Sequence, residues 1–321
     1  MPVVHSRYRP AWWLRNAHAQ TLWPSLFRQK PKIEISRERV ELKDGDFIDL
    51  IWSGEKSAPI VLFLHGLEGN IHSHYAAGIM QQLNQAGFRA CLMHFRGCSE
   101  EPNRLPIAYH SGKTDDPAEI SEHIKKHHGR QLFGVVGVSL GGNVALKWLG
   151  ELGEQCELQR AAVMSVPFIL NDAALRLRKG ASRFYERHLI GNLQESYQTK
   201  FKQIESPVTV NVKNLRTFRQ FDNEVTAPLH GYKDVDDYYT TCSSRPYISK
   251  IKIPTLILHA KDDPFMYPST SPEENELSDH VYLELTAHGG HMGFISGKFP
   301  GKATYWAEKR LAEWMSGEIQ A

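Results

Sequence analysis

From Pro59 onward the chain alternates continuous apolar runs with helical stretches, and that alternation leaves few folds open. Ile60–Leu64 contains no polar residue, as expected of a parallel strand buried on both faces. A helical stretch at about 75–85 follows, then strands at 88–93, Leu132–Val138, 161–166, 255–259 and 281–285. Helical patterns occupy the gaps, and an amphipathic helix closes the series at about 303–315. One helix opens at Asp116-Pro117-Ala118-Glu119, with Asp as N-cap, Pro at the first helical position and Glu completing a capping box. Repeated βαβ units predict the α/β class, a mostly parallel central sheet with helices on both faces. The alternation stops at 168–250, which carries helical patterns rich in Arg, Tyr and Phe and no clear strand. That segment reads as a helical cap, or lid, inserted over the carboxyl edge of the sheet, where open α/β sheets bind ligands. Ahead of the alternation, residues 1–30 are aromatic-rich and irregular. Strand-like runs at 33–42 and 47–52 flank Lys43-Asp44-Gly45-Asp46, a hairpin signal.

Composition narrows the function classes. The 321 residues are read as a single domain, 1–321, long enough for one large core. A formal charge of +2 gives no case for nucleic-acid binding. Cys91, Cys98, Cys156 and Cys242 are too scattered for a disulfide framework, and no CxxC pair offers a zinc site. The first residues, MPVVHSRYRPAWW, lack the apolar stretch of a secretory signal, and no apolar run reaches the roughly 18 residues of a membrane span. A cytoplasmic location is the expectation. No metal or nucleotide motif is present, and the chemistry below needs no cofactor.

The strongest chemical signal is Gly137-Val138-Ser139-Leu140-Gly141, a G-x-S-x-G pentapeptide between an apolar strand and a helix. That setting is what a nucleophile elbow requires, because the serine occupies a strained turn with no room for side chains beside it. A serine hydroxyl needs a base, and the base needs an acid to orient it, in the chain order Ser, acid, His. The strand at 255–259 leads into Asp262-Asp263-Pro264, and the strand at 281–285 into His288-Gly289-Gly290-His291. Asp263, directly before the turning proline, is taken as the acid, with Asp262 as the competitor that spacing does not eliminate. His291 is taken as the base, with His288 as its competitor. The backbone amides of Leu140 and of Leu67, in His65-Gly66-Leu67-Glu68-Gly69, are the expected oxyanion donors. Two weaker patterns are present. His110 and Asp115 have an H-x-x-x-x-D spacing that would suit an acyltransferase, but the acidic cluster there already has a capping explanation. Residues 171–190 hold Arg176, Arg178, Lys179, Arg183 and Arg187 against Asp172 and Glu186, with Leu175, Phe184, Tyr185 and Leu189 interleaved. That stretch reads as a lid helix with a solvated charged face, and otherwise as a peripheral contact with anionic lipid.

Taken together, strand-HGL-x-G, strand-GVSLGGN, DDP after a late strand and GGHMGF before the last helix resemble the α/β-hydrolase superfamily. Trp12-Trp13-Leu14-Arg15-Asn16-Ala17-His18-Ala19-Gln20-Thr21 and Tyr109-His110-Ser111-Gly112 resemble the YheT/EMB8-type branch within it. The resemblance implies the α/β-hydrolase fold and a serine hydrolase, a carboxylesterase with the triad Ser139, Asp263 and His291. It implies a small-molecule ester substrate, acyl or lipid-like, although eukaryotic relatives commonly carry an amino-terminal membrane anchor that this sequence lacks. The rival expectations are amide or thioester hydrolysis or acyl transfer on the same triad, or a non-catalytic ligand binder of the same fold. Oligomeric state and the role of the Trp-rich segment are not readable from the sequence.

Overall fold

The computed structural model of the protein describes residues 3–318. Strands β1 (Val3–His5), β2 (Ser36–Glu41), β3 (Phe47–Ser53), β4 (Ile60–Leu64), β5 (Arg89–Met93), β6 (Leu132–Val138), β7 (Arg160–Met164), β8 (Thr255–Ala260) and β9 (Val281–Thr286) build one sheet. Its order is β1-β9-β8-β7-β6-β4-β5-β3-β2. Every pairing from β1 through β5 is parallel, and only β3 and β2 run antiparallel to their neighbours. The short strands β10 (Ile295–Ser296) and β11 (Thr304–Tyr305) form a separate antiparallel pair. The helices are α1 (Ala17–Phe27), α2 (Ala76–Gln85), α3 (Asp115–His128), α4 (Leu140–Leu152), α5 (Leu170–Leu177), α6 (Ser182–Phe201), α7 (Phe218–Phe221), α8 (Ala227–Leu229), α9 (Val235–Cys242) and α10 (Trp306–Ser316).

Both faces of the sheet are covered, which is why β4 is apolar at every position. Ile60, Leu62 and Leu64 pack into one core with Ile120 and Ile124 of α3 and Val144 of α4. Val61 and Phe63, alternating with them, pack into the other with Ile79 and Met80 of α2 and Leu311 and Trp314 of α10. Between β7 and β8 the chain forms α5 to α9 with smaller clusters of its own. Leu170 and Ala174 pack with Tyr238 and Tyr239, and Ile190 packs with Phe221 and Val225. No helix among the described residues is long and apolar enough to cross a membrane.

Two local expectations are corrected. Asp116 does not cap α3, which begins two residues earlier than expected, with Thr114 at the N-cap and no side-chain cap bond. The Asp116 carboxylate is instead taken by Arg96, whose Nη2 lies 2.7 Å from Oδ1 and whose Nη1 reaches Asp44 at 2.6 Å. A buried guanidinium is a stronger claim on a buried carboxylate than a helix amide, because an unpaired charge there would be costly. Residues 3–30 are not irregular throughout. β1 pairs in parallel with β9 at the sheet edge, and α1 is capped by Asn16, whose side chain accepts from the Ala19 N–H. Pro24 inside α1 conceals that helix from a pattern reading.

Candidate active site

The carboxyl ends of β4, β6, β8 and β9 deliver four loops to one place. At the end of β6, Ser139 adopts φ 51° and ψ −120°, a conformation that costs a non-glycine residue about 1–3 kcal/mol. Its amide donates to Met164 O at 2.9 Å, and α4 begins at the next residue. The flanking glycines are needed for space. A Cβ on Gly141 would stand 2.3 Å from Leu64 O and 2.4 Å from His65 O, and one on Gly137 would stand 2.6 Å from Gly141 O. The serine turn therefore presses directly on the end of β4.

The sequence-predicted residues converge there. His291 Nδ1 donates to Asp263 Oδ2 at 2.8 Å, which leaves Nε2, 3.1 Å from Ser139 Oγ, as the acceptor of the hydroxyl proton. Asp263 is 3% exposed, and its other oxygen accepts the Phe265 N–H at 2.8 Å. The Phe265 ring lies flat on the His291 imidazole, with centroids 3.9 Å apart. Asp262 and His288 go elsewhere. They face each other at 3.2 Å, and Asp262 accepts the Gly290 N–H at 3.0 Å, so this pair braces the loop without reaching the serine. The His110–Asp115 spacing assembles no site either. Asp115 pairs with Lys113 at the surface, while His110 is buried and accepts the Gly112 N–H.

The loop after β4 is shaped by its own hydrogen bonds. His65 is fully buried and neutral, its pKa pulled down to about 3 by loss of solvent. It donates from Nδ1 to Gly66 O at 2.7 Å and accepts the Phe95 N–H on Nε2 at 3.0 Å. Gly66 donates to Tyr75 Oη, and Glu68, held at φ 52°, donates to Tyr109 Oη. The Leu67 amide between them meets no acceptor among the described residues. Leu140, as the first residue of α4, likewise has no intrahelical acceptor for its N–H. Both residues line the same cavity as Ser139 and His291.

That cavity has a volume of about 460 Å³. Its walls are mostly apolar, with Leu170, Ala174, Leu177, Leu189 and Phe218 contributed by the cap helices and Leu22 by α1. One acid opens onto it from the cap. Asp222, in the π-helical turn Asp222–Thr226, accepts from Tyr239 Oη and Thr226 Oγ1, each at 2.7 Å. Enclosure in the cap pushes its pKa up to about 6. Among the described residues one cluster has a metal-ligand donor set, Glu38 with His123 and His128. None of the three lines the cavity, and they pair with one another, His123 at 2.8 Å and His128 at 3.0 Å from the carboxylate.

The supporting residues that sequence reasoning missed lie in the Trp-rich segment. Gln20 is fully buried, and its side chain donates to Leu14 O (2.6 Å) and Ile295 O (3.1 Å) while accepting the Ile295 N–H (2.6 Å). Thr21 Oγ1 accepts the His291 N–H at 2.9 Å. Gly290 and Gly293 lie so close to α1 that a Cβ on either would stand 2.4 Å from a backbone oxygen of Ala17 or Gln20. Beyond them Met292 and Phe294 are held at φ 59° and 45°, and Ser165 Oγ accepts the Met292 N–H. The visible signal was Asn16 as an N-cap ahead of Gln20 and Thr21.

Comparison with known proteins agrees with this architecture. The family described as alpha/beta hydrolase fold matches residues 59–298. The chain belongs to that family. It is 39% identical over 313 residues to YheT of Escherichia coli, covering 95% of this chain and 92% of that one, and YheT's name places it provisionally among the esterases. Human phospholipase ABHD3 is 29% identical over 316 residues, covering 95% of this chain and 77% of that protein. These matches put the chain in the YheT/EMB8-type branch. Among solved structures, the Pyrococcus furiosus esterase Pf2001 superposes with a TM-score of 0.53 at 16% identity, covering 81% of this chain and 84% of that one, and shows the shared fold.

Two outcomes are expected. Gln20→Leu strands the Leu14 and Ile295 backbone groups inside the protein, so urea unfolding should show a loss of about 3 kcal/mol; stability equal to the wild type would contradict the anchoring role. Asp222 has a native pKa of about 6 against an ordinary 3.8, so the folded chain keeps a proton the unfolded chain has lost. Its contribution weakens the folded state as pH rises from about 4 to 6 and is constant above that. The unfolding free energy of Asp222→Asn relative to wild type should therefore climb across this window and level off, whereas a pH-independent difference would sink the assignment.

Proposed function

We propose that the protein is a serine hydrolase that cleaves carboxylic esters through an acyl-enzyme. The observation that carries the reading is the hydrogen-bonded chain from Ser139 through His291 to Asp263, at 3.1 and 2.8 Å, opening into an apolar cavity. His291 Nε2 takes the hydroxyl proton as Ser139 Oγ bonds to the ester carbonyl carbon, and Asp263 holds the imidazole in the required tautomer and stabilises its cation. The Leu67 and Leu140 amides, free of partners among the described residues, receive the developing oxyanion. His291 then gives its proton to the leaving alkoxide, and the alcohol departs from the acyl-serine. A water, deprotonated by His291, repeats the attack, and the proton returns to Ser139 as the carboxylic acid leaves.

The substrate class follows from the cavity. Its volume and aliphatic walls suit an acyl chain better than a polar acyl group. The cap, residues 168–250, supplies much of that wall and excludes water from the acyl-enzyme. Relatives named esterase and phospholipase, each matched over 95% of this chain, support an ester or lipid hydrolase. All four cysteines are free, which fits a reducing compartment such as the cytoplasm.

Hydrolysis of p-nitrophenyl esters of graded chain length tests the proposal. Asp263→Asn should lower kcat by about 10⁴-fold and Ser139→Ala by at least as much, with the circular dichroism of the wild type retained. Asp262→Asn should leave most of the rate. A folded Ser139→Ala enzyme that turned over at the wild-type rate would refute the mechanism.

A further inference from the structure

The opening of the cavity can be located from exposure. Of the residues that line it, Leu22 and Ser25 on α1 and His188 on α6 are exposed, so the mouth lies between these two helices. The helices meet where His18 Nδ1 lies 3.1 Å from Tyr185 Oη, with the two rings stacked. One turn beyond Leu22 stands Leu26, and one turn before His188 stands Phe184. Leu26, Phe27 and Phe184 are 67%, 63% and 73% exposed. Large apolar side chains this exposed, gathered at the rim of an apolar cavity, mark a surface that is covered in use.

The α6 side of the rim is mainly positive. α1 carries no Asp, Glu, Lys or Arg. From 175 to 190 the cations are Arg176, Arg178, Lys179, Arg183 and Arg187, and the sole acid is Glu186. That acid is buried and accepts the Phe218 N–H, so it does not offset the cations at the surface. Arg178, Lys179, Arg183 and Arg187 are all exposed, although the whole chain has a formal charge of only +2. Exposed apolar residues beside exposed cations, with the one acid among them buried, match a bilayer interface whose headgroups are anionic.

We propose that the α1–α6 rim docks on the surface of a bilayer containing anionic phospholipid. Leu22, Leu26, Phe27 and Phe184 enter the interfacial layer, Arg183 and Arg187 pair with lipid phosphates, and the cavity mouth faces the acyl chains. The purpose of docking rests on the esterase reading, since it places the mouth where an apolar ester would be found. The docking itself requires no turnover.

Co-sedimentation of the Ser139→Ala protein with phosphatidylcholine vesicles, and with phosphatidylcholine–phosphatidylglycerol vesicles, tests the inference separately from catalysis. The mixed vesicles should retain the protein and phosphatidylcholine alone should not, with retention falling as salt is raised. Arg183→Glu combined with Arg187→Glu should weaken retention at least about tenfold, at roughly 1 kcal/mol per cation near the surface. Leu26→Ser with Phe184→Ser should weaken it at every salt concentration, and Lys125→Glu with Lys126→Glu, on α3, should leave it unchanged. No retention on mixed vesicles overturns the proposal, as does equal loss in the α3 variant or indifference to Leu26 and Phe184. Retention by a protein whose wild type hydrolyses no ester would uphold the docking and refute the esterase reading.

Discussion

The contact between the serine turn and the end of β4 sets the rest of the site. Gly141 packs its backbone against the carbonyls of Leu64 and His65 so closely that no Cβ fits. This contact fixes the distance between the nucleophile turn and the loop carrying Leu67, and both must be close for one carbonyl to meet them together. The strained φ of Ser139 is the cost of that approach, about 1–3 kcal/mol. The sheet can bear it because β6 is central, with β4 on one side and β7 on the other, and both of its faces are buried.

The base is held from a different direction. His291 sits in a loop with two further non-glycine residues at positive φ, Met292 and Phe294. Left to itself such a loop would relax. Gln20 and Thr21 of α1 hold it through hydrogen bonds to Ile295 and His291, while Phe265 lies flat on the imidazole and Asp263 orients it. The aromatic amino-terminal segment thus braces the loop that carries His291, and Leu22 and Ser25 of α1 line the cavity beside it.

Much of this was legible in the sequence, for physical reasons. Strands buried on both faces must be apolar throughout, so β4 and β6 announced themselves. The G-x-S-x-G turn was recognisable because only glycine fits beside the serine. Spacing could not separate Asp262 from Asp263, because adjacent residues at a strand end differ only in which way the turn throws them. The Asp263 side chain goes inward to His291 and that of Asp262 outward to His288. The Arg96 cluster and the Gln20 anchor were hidden because their partners are distant in the chain, 20 residues for Asp116 and 275 for Ile295. Local capping rules cannot anticipate a buried charge that claims the same carboxylate.

The central claim is that Ser139 is made nucleophilic by His291, and covalent labelling addresses it most directly. A fluorophosphonate should phosphonylate Ser139 in the wild type, shown by peptide mass mapping, and labelling should collapse in a folded His291→Ala variant. An adduct on Ser139 that forms equally fast without His291, or an adduct on another residue, would contradict the account.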